Sequence, residues 1–139
     1  MDSGIIRRNY VHASGFTAGD HTNGIMSTGG SRPLVIERNT VFVPHDQTDA
    51  IGLFQDFGPQ SNRRISRNLV AGGGYTIYAG ANPGKEDRAT DIEVTGNRFA
   101  RIYFPRSGYW GPVTAYAANE GNVWADNVWD ETGRPVGAR

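Results

Sequence analysis

Apolar residues in this chain fall in short, β-branched runs with no sustained helical period, and the runs recur. The segment IIRRNYV (5–11) returns as VIERNTV (35–41), RISRNLV (64–70), EVTGNRF (93–99) and VWADNVW (123–129). Each copy holds an apolar residue, two variable positions, an Asn, one variable position and a second apolar residue. The asparagines are Asn9, Asn39, Asn68, Asn97 and Asn127, spaced 30, 29, 29 and 30 residues apart. A second apolar motif lies between them: NGIMS (23–27), DAIGL (49–53), YTIYA (75–79) and, after a longer insertion, VTAYA (113–117). Each period therefore predicts three short strands, with an Asn turn between two of them.

Three strands per period with few tight-hairpin signals do not pair within the period. Stacking each period on the next, strand over equivalent strand at about 4.8 Å, satisfies the backbone groups instead. The pattern predicts one all-β domain over 1–139, a solenoid of parallel coils, about five in number. Alternation places Ile25, Ile51 and Ile77 inside the first sheet. It places Ile6, Ile36, Ile65, Val94 and Trp124 inside the second, and Val11, Val41, Val70, Phe99 and Trp129 inside the third. Tyr78 and Tyr116 then point outward from the first sheet.

On these repeats the chain resembles the right-handed parallel β-helix proteins, the pectate-lyase-like superfold, along nearly its whole length. The resemblance implies that the recurring Asn form a ladder in the tight turn between the second and third sheets, a structural role that stacked amides can fill. It also implies a substrate cleft beside the first sheet, polysaccharide as partner and an extracellular or secreted location. The N-terminal MDSGIIRRNY has no signal-peptide core. Solenoids need covered ends. The tail DETGRPVGAR is expected to close the last coil, whereas the first strand motif begins at once. That predicts either a piece of a longer β-helix protein or a homo-oligomer formed through an open coil end.

The stretches DHTNGI (20–25) and DQTDAI (46–51) become neighbours once coils stack, Asn23 over Asp49 and Asp20 near Asp46. One reading is turn capping by short polar side chains. Another makes Asp20, Asp46 and Asp49 oxygen ligands for Ca²⁺, the cofactor this fold family suggests. A third makes His21, Asp46 and Asp49 catalytic groups of a lyase or glycoside hydrolase, with Asn23 standing where a second acid is wanted. His45 lies beside them.

Charge adds one feature to the pattern. Lys plus Arg and Asp plus Glu balance at 14 each, which gives no footprint for nucleic acid or a membrane surface, yet Lys85 is the only lysine. Arginine forks match carboxylate and sulfate groups. Arg8, Arg38 and Arg67 precede the ladder Asn in three successive coils, with Arg7, Arg63, Arg64, Arg98 and Arg101 close by. These form either a solvated face partly paired with Glu37, Glu93 and Asp126, or a groove for an anionic polymer. Tyr78, Tyr116 and the insertion residues Tyr109 and Trp110 supply flat rings for sugars, so Arg38, Arg67 and these four aromatics are the candidate substrate-binding residues. The absence of Cys excludes disulfides and thiol chemistry. The reading that results is a polysaccharide-interacting β-helix, a lyase or hydrolase acting on an acidic polymer; the alternative is a non-catalytic binding, adhesion or structural module.

Overall fold

A computed structural model describes residues 2–12, 15 and 17–138. The chain winds as a parallel β-solenoid of about four turns. In chain order the strands are β1 (Gly4–Arg7), β2 (Tyr10–Val11), β3 (Asn23–Ser27), β4 (Leu34–Glu37), β5 (Thr40–Val43), β6 (Asp49–Leu53) and β7 (Gln60–Ser66). They continue as β8 (Leu69–Gly72), β9 (Tyr75–Ala79), β10 (Ala89–Thr95), β11 (Arg98–Phe99), β12 (Gly111–Thr114), β13 (Val123–Ala125) and β14 (Val128–Trp129). The first sheet runs β3-β6-β9-β12, the second β1-β4-β7-β10-β13 and the third β2-β5-β8-β11-β14, with every pairing parallel. Five strands in two sheets and four in the other amount to four full turns and part of a fifth, slightly less than the repeat count suggests.

Registers follow the sequence repeat. Ile6 pairs with Ile36, Ile36 with Ile65, Ile65 with Val94 and Val94 with Trp124. Ile36, Ile51, Ile65, Val70, Ile77, Val94 and Phe99 are buried in one continuous core, while Ile6, Val11, Trp124 and Trp129 at the ends are only half covered. A residue in an inner coil has neighbours above and below; a residue in an end coil lacks one of them.

At the corner between the second and third sheets, each Asn amide joins its neighbours. The Asn39 Nδ2 donates to Asn68 Oδ1 (3.1 Å) and to the Ile6 carbonyl (3.0 Å), and the Asn39 backbone N–H donates to the same Asn68 Oδ1 (2.9 Å). The arrangement repeats from Asn68 to Asn97 and from Asn97 to Asn127, all four of these Asn being buried. Asn is required because one side chain must accept two N–H groups and donate two at the coil repeat. The residue before each Asn adopts the left-handed conformation: Arg8 (φ 58), Arg38 (φ 54), Arg67 (φ 56), Gly96 (φ 68) and Asp126 (φ 56).

The tail covers the final coil. Trp129 N–H donates to Arg134 O (2.9 Å), Val136 N–H to Asn127 O (2.8 Å) and Trp124 Nε1 to Val136 O (2.7 Å), and Val136 is buried against the core. The far end of the first sheet departs from the expected alignment. Gly111 pairs with Tyr75, Val113 with Ile77 and Thr114 with Tyr78, a shift of two residues relative to VTAYA over YTIYA. Thr114, not Tyr116, therefore continues the Tyr78 column. Tyr116 packs against the core instead, its ring 5.7 Å from that of Trp124. The strand ends early because Ala115 turns left-handed (φ 57), carrying the chain over the half-buried Trp124.

Candidate functional site

The repeated acidic stretches are joined by hydrogen bonds between coils. Asn23 Nδ2 donates to Asp49 Oδ2 at 2.6 Å, and one residue earlier Thr48 Oγ1 donates to the Thr22 carbonyl. Gly24 follows because no side chain fits there: a Cβ would enter the Ala50 carbonyl and the Val41 side chain. The Asp49 carboxyl lies against Gly52, where a Cβ would approach its Oδ2 to 2.6 Å and would also strike the Phe54 ring. Asp49 is wholly buried, and its Oδ1 has no hydrogen-bond partner. Burial pushes its pKa up to about 8, opposed only by the Asn23 amide, so it is a neutral acid at pH 7. Tyr78 is raised too, first by burial and then by the nearness of Asp49 and Tyr75.

The other nominated acids lie elsewhere. Asp20 is exposed and its Oδ2 accepts the Thr17 N–H (2.7 Å), closing its own turn. His21 and Asp46 are exposed, and His45 is half-buried. Among the described residues no three His, Asp or Glu side chains come together as a metal-holding group. Asp49 thus faces an amide in the coil below and not a second carboxylate.

The aromatic residues converge more closely. Phe54 packs on Tyr78 (5.1 Å between centroids) and Tyr78 meets Tyr75 edge-on (5.8 Å), forming a ridge on the outside of the first sheet. The insertion between β11 and β12 is fastened to the neighbouring corner. Gly72 N–H donates to Ser107 O, Tyr109 N–H to Gly73 O and Trp110 N–H to Gly74 O (2.7 Å), while Thr76 Oγ1 donates to the buried Ser107 Oγ (3.0 Å). Gly74 is side-chain-free where the Trp110 ring passes, 3.4 Å from where a Cβ would stand. Trp110 and Tyr109 stand perpendicular, 4.7 Å apart, both largely exposed.

Two depressions share Tyr75, Thr114 and Ala115 in their walls. The larger, about 580 Å³, runs along β12 between Trp110, Arg106, Tyr116 and Trp129; the smaller, about 300 Å³, is bounded by Phe54, Tyr78 and Asn82. They adjoin through these shared residues as an aromatic groove, with Arg106 at the wall of the larger and the Arg101 guanidinium 4.2 Å over the Trp129 ring. The groove's volume suits a small-molecule or glycan ligand. Compared with protein-family models, curated proteins and solved structures, the chain matches none.

Of the residues nominated from sequence, Tyr78, Trp110 and Tyr116 line this groove, and Tyr109 stands beside it. Arg38 and Arg67 do not: they sit at the corner between the second and third sheets, across the coil from the first. Of the arginines grouped with them, Arg63 is interior, its Nε donating to Gln60 Oε1 (2.7 Å), and Arg7, Arg64 and Arg98 pair with Glu37, Glu93 and Asp130. Sequence reasoning missed Phe54, Tyr75, Arg106 and Trp129. Tyr75 carried no signal in the sequence: it and Tyr78 flank two consecutive buried residues, Thr76 and Ile77, where strict alternation would allow one.

Proposed function

We propose that this chain is a glycan-binding β-solenoid module that holds a saccharide in the aromatic groove along β12. The observation that carries the reading is the convergence of Tyr75, Trp110, Tyr116 and Trp129 around one open groove with Arg106 at its wall. Aromatic faces pack against the C–H face of a sugar ring, and a single guanidinium forms a forked ion pair with a carboxylate or sulfate substituent. The preferred ligand is accordingly an acidic saccharide, met outside the cell or at its surface. Binding without turnover is favoured over lyase or hydrolase chemistry because Asp49 is shut off from solvent and bonded to Asn23, while His21 and Asp46 stand exposed. No cofactor enters this reading.

The test is a titration of the full chain with oligomers of galacturonate and of neutral hexoses, alongside absorbance at the unsaturated-uronate band and reducing ends, with and without Ca²⁺. Saturable binding that Trp110→Ala weakens by roughly tenfold, with both turnover channels silent, is the expected result. Turnover abolished by Asp46→Ala would replace the module with an enzyme.

A further inference from the structure

The corner facing away from that groove carries a second feature. Arg8, Arg38 and Arg67 occupy equivalent positions in three adjacent coils, one strand spacing or about 4.8 Å apart, and all three are exposed. Two independent observations set them apart. Their backbone is left-handed, a conformation that Gly, Asn and Asp tolerate and Arg does not favour. The same column holds Gly96 and Asp126 in the next two coils, so the turn itself does not call for arginine. Among the described residues none of the three has an ion-pair partner, although Arg7 and Arg64 nearby are matched to Glu37 and Glu93. The Arg67 stem lies over Gly96, 3.6 Å from where a Cβ would stand. Like charges stacked this closely repel unless they are screened, paired or liganded.

The adjoining face of the third sheet is aromatic. Tyr10 is largely exposed and stacks on His12 (4.0 Å between centroids), and it meets Phe42 edge-on (5.9 Å), which in turn meets Tyr103 (6.3 Å). Next to the arginine column on this side stand Tyr10, Thr40 and Leu69, with no carboxylate among them.

We infer that this corner is a binding track for a linear acidic glycan lying parallel to the solenoid axis. Its carboxylate or sulfate groups meet Arg8, Arg38 and Arg67 in turn, and its sugar faces rest on Tyr10 and Phe42. Charge spacing selects the polymer class. A glycan with several anionic substituents on each ring presents one of them to every position of the column, whichever way successive rings turn. An extended acidic peptide presents same-face side chains only every ~6.6 Å, and duplex DNA carries its phosphates around a cylinder, away from a straight column. The track is separate from the Trp110 groove and does not depend on it.

The experiment uses the full chain carrying Trp110→Ala, so that the groove contributes little, and measures affinity for dextran sulfate, polygalacturonate, unmodified dextran and an oligothymidylate of matched charge across a salt series. The expected result is salt-sensitive binding of the two acidic glycans, weak binding of the oligonucleotide and none of dextran. The triple variant Arg8→Asn, Arg38→Asn, Arg67→Asn should lose roughly tenfold or more in affinity with a shallower salt slope. Asn accepts the left-handed turn, so the thermal midpoint should hold; Arg38→Asn and Arg67→Asn singly serve if the triple variant fails to fold. Unchanged glycan affinity in these variants overturns the track, and oligothymidylate binding as tight as the glycans overturns its ligand class. Loss of polygalacturonate binding in the Trp110→Ala background, with dextran sulfate still held by the arginines, would overturn the carboxylate form of the ligand and restrict the track to sulfated glycans.

Discussion

Asp49 shows how a single side chain can act through its surroundings. Its folded pKa of about 8 lies above the value near 3.9 expected in the unfolded chain, so the folded state holds a proton the unfolded state releases. The stability it contributes is fully present below about pH 4 and declines as pH rises toward 8, by at most about 1.4 kcal/mol per pH unit. Asp49→Asn keeps the shape and removes the titration. Urea unfolding at several pH values should therefore show a flatter profile across this range for the variant than for the parent, and greater stability at pH 9. Parallel profiles for the two would mean that Asp49 is ionised in the fold. The same scale explains Gly24, where any side chain would enter the Ala50 carbonyl: Gly24→Ala should destabilise by about 1–3 kcal/mol in the same assay.

At the scale of the elements, the Asn corner and the strand columns support one another. Asn68 Oδ1 accepts from the Asn39 backbone and side chain, and its Nδ2 donates to Asn97 Oδ1 and the Ile36 carbonyl, all in the interior. Asn68→Ala would take hydrogen-bond partners from buried groups in the coils on either side, at a cost of about 2–4 kcal/mol in denaturant unfolding. Asn9, exposed in the first coil, forms fewer such bonds, and Asn9→Ala should cost less than half as much. Ile65→Ala, in the centre of the second sheet, is expected to cost about 2–5 kcal/mol. The strand columns and their registers were legible because a solenoid repeats the same environment every turn, and the sequence repeats with it. The exception is instructive: at VTAYA the long insertion before β12 uncoupled position from register, and Val113, not Ala115, met Ile77.

For the whole molecule, the two ends differ. The tail from Trp129 to Val136 closes the last coil, whereas at the other end β1 and β2 have no further strand beside them among the described residues, and Ile5 and Tyr10 are exposed. Removing residues 133–139 would uncover Trp124 and the edge of the last coil. That truncation should lower the thermal midpoint by several degrees and introduce concentration-dependent association in size-exclusion chromatography; a monodisperse truncated chain of unchanged midpoint would show that the tail is not a cap. The triangular winding also separates features that look continuous in sequence. Arg67 stands only 11 residues before Tyr78 in the chain, yet the coil places it and Arg38 on the opposite side from the aromatic groove.

Sequence alone determined the repeat, the three strand columns, the inward residues and the Asn positions, because each depends on periodicity that survives translation by one coil. It also located the paired stretches DHTNGI and DQTDAI, whose Asn23 and Asp49 do meet. Tertiary structure decided what those residues can do. Whether Asp49 faced solvent or the underside of Phe54 depended on two consecutive buried residues, Ala50 and Ile51, that break strict alternation. Whether Tyr116 pointed out or in depended on a left-handed turn at Ala115, and whether the arginines joined the aromatic groove depended on which corner of the coil they occupied. Such features are set by packing between segments far apart in the chain, for which no local pattern of residues provides a signal.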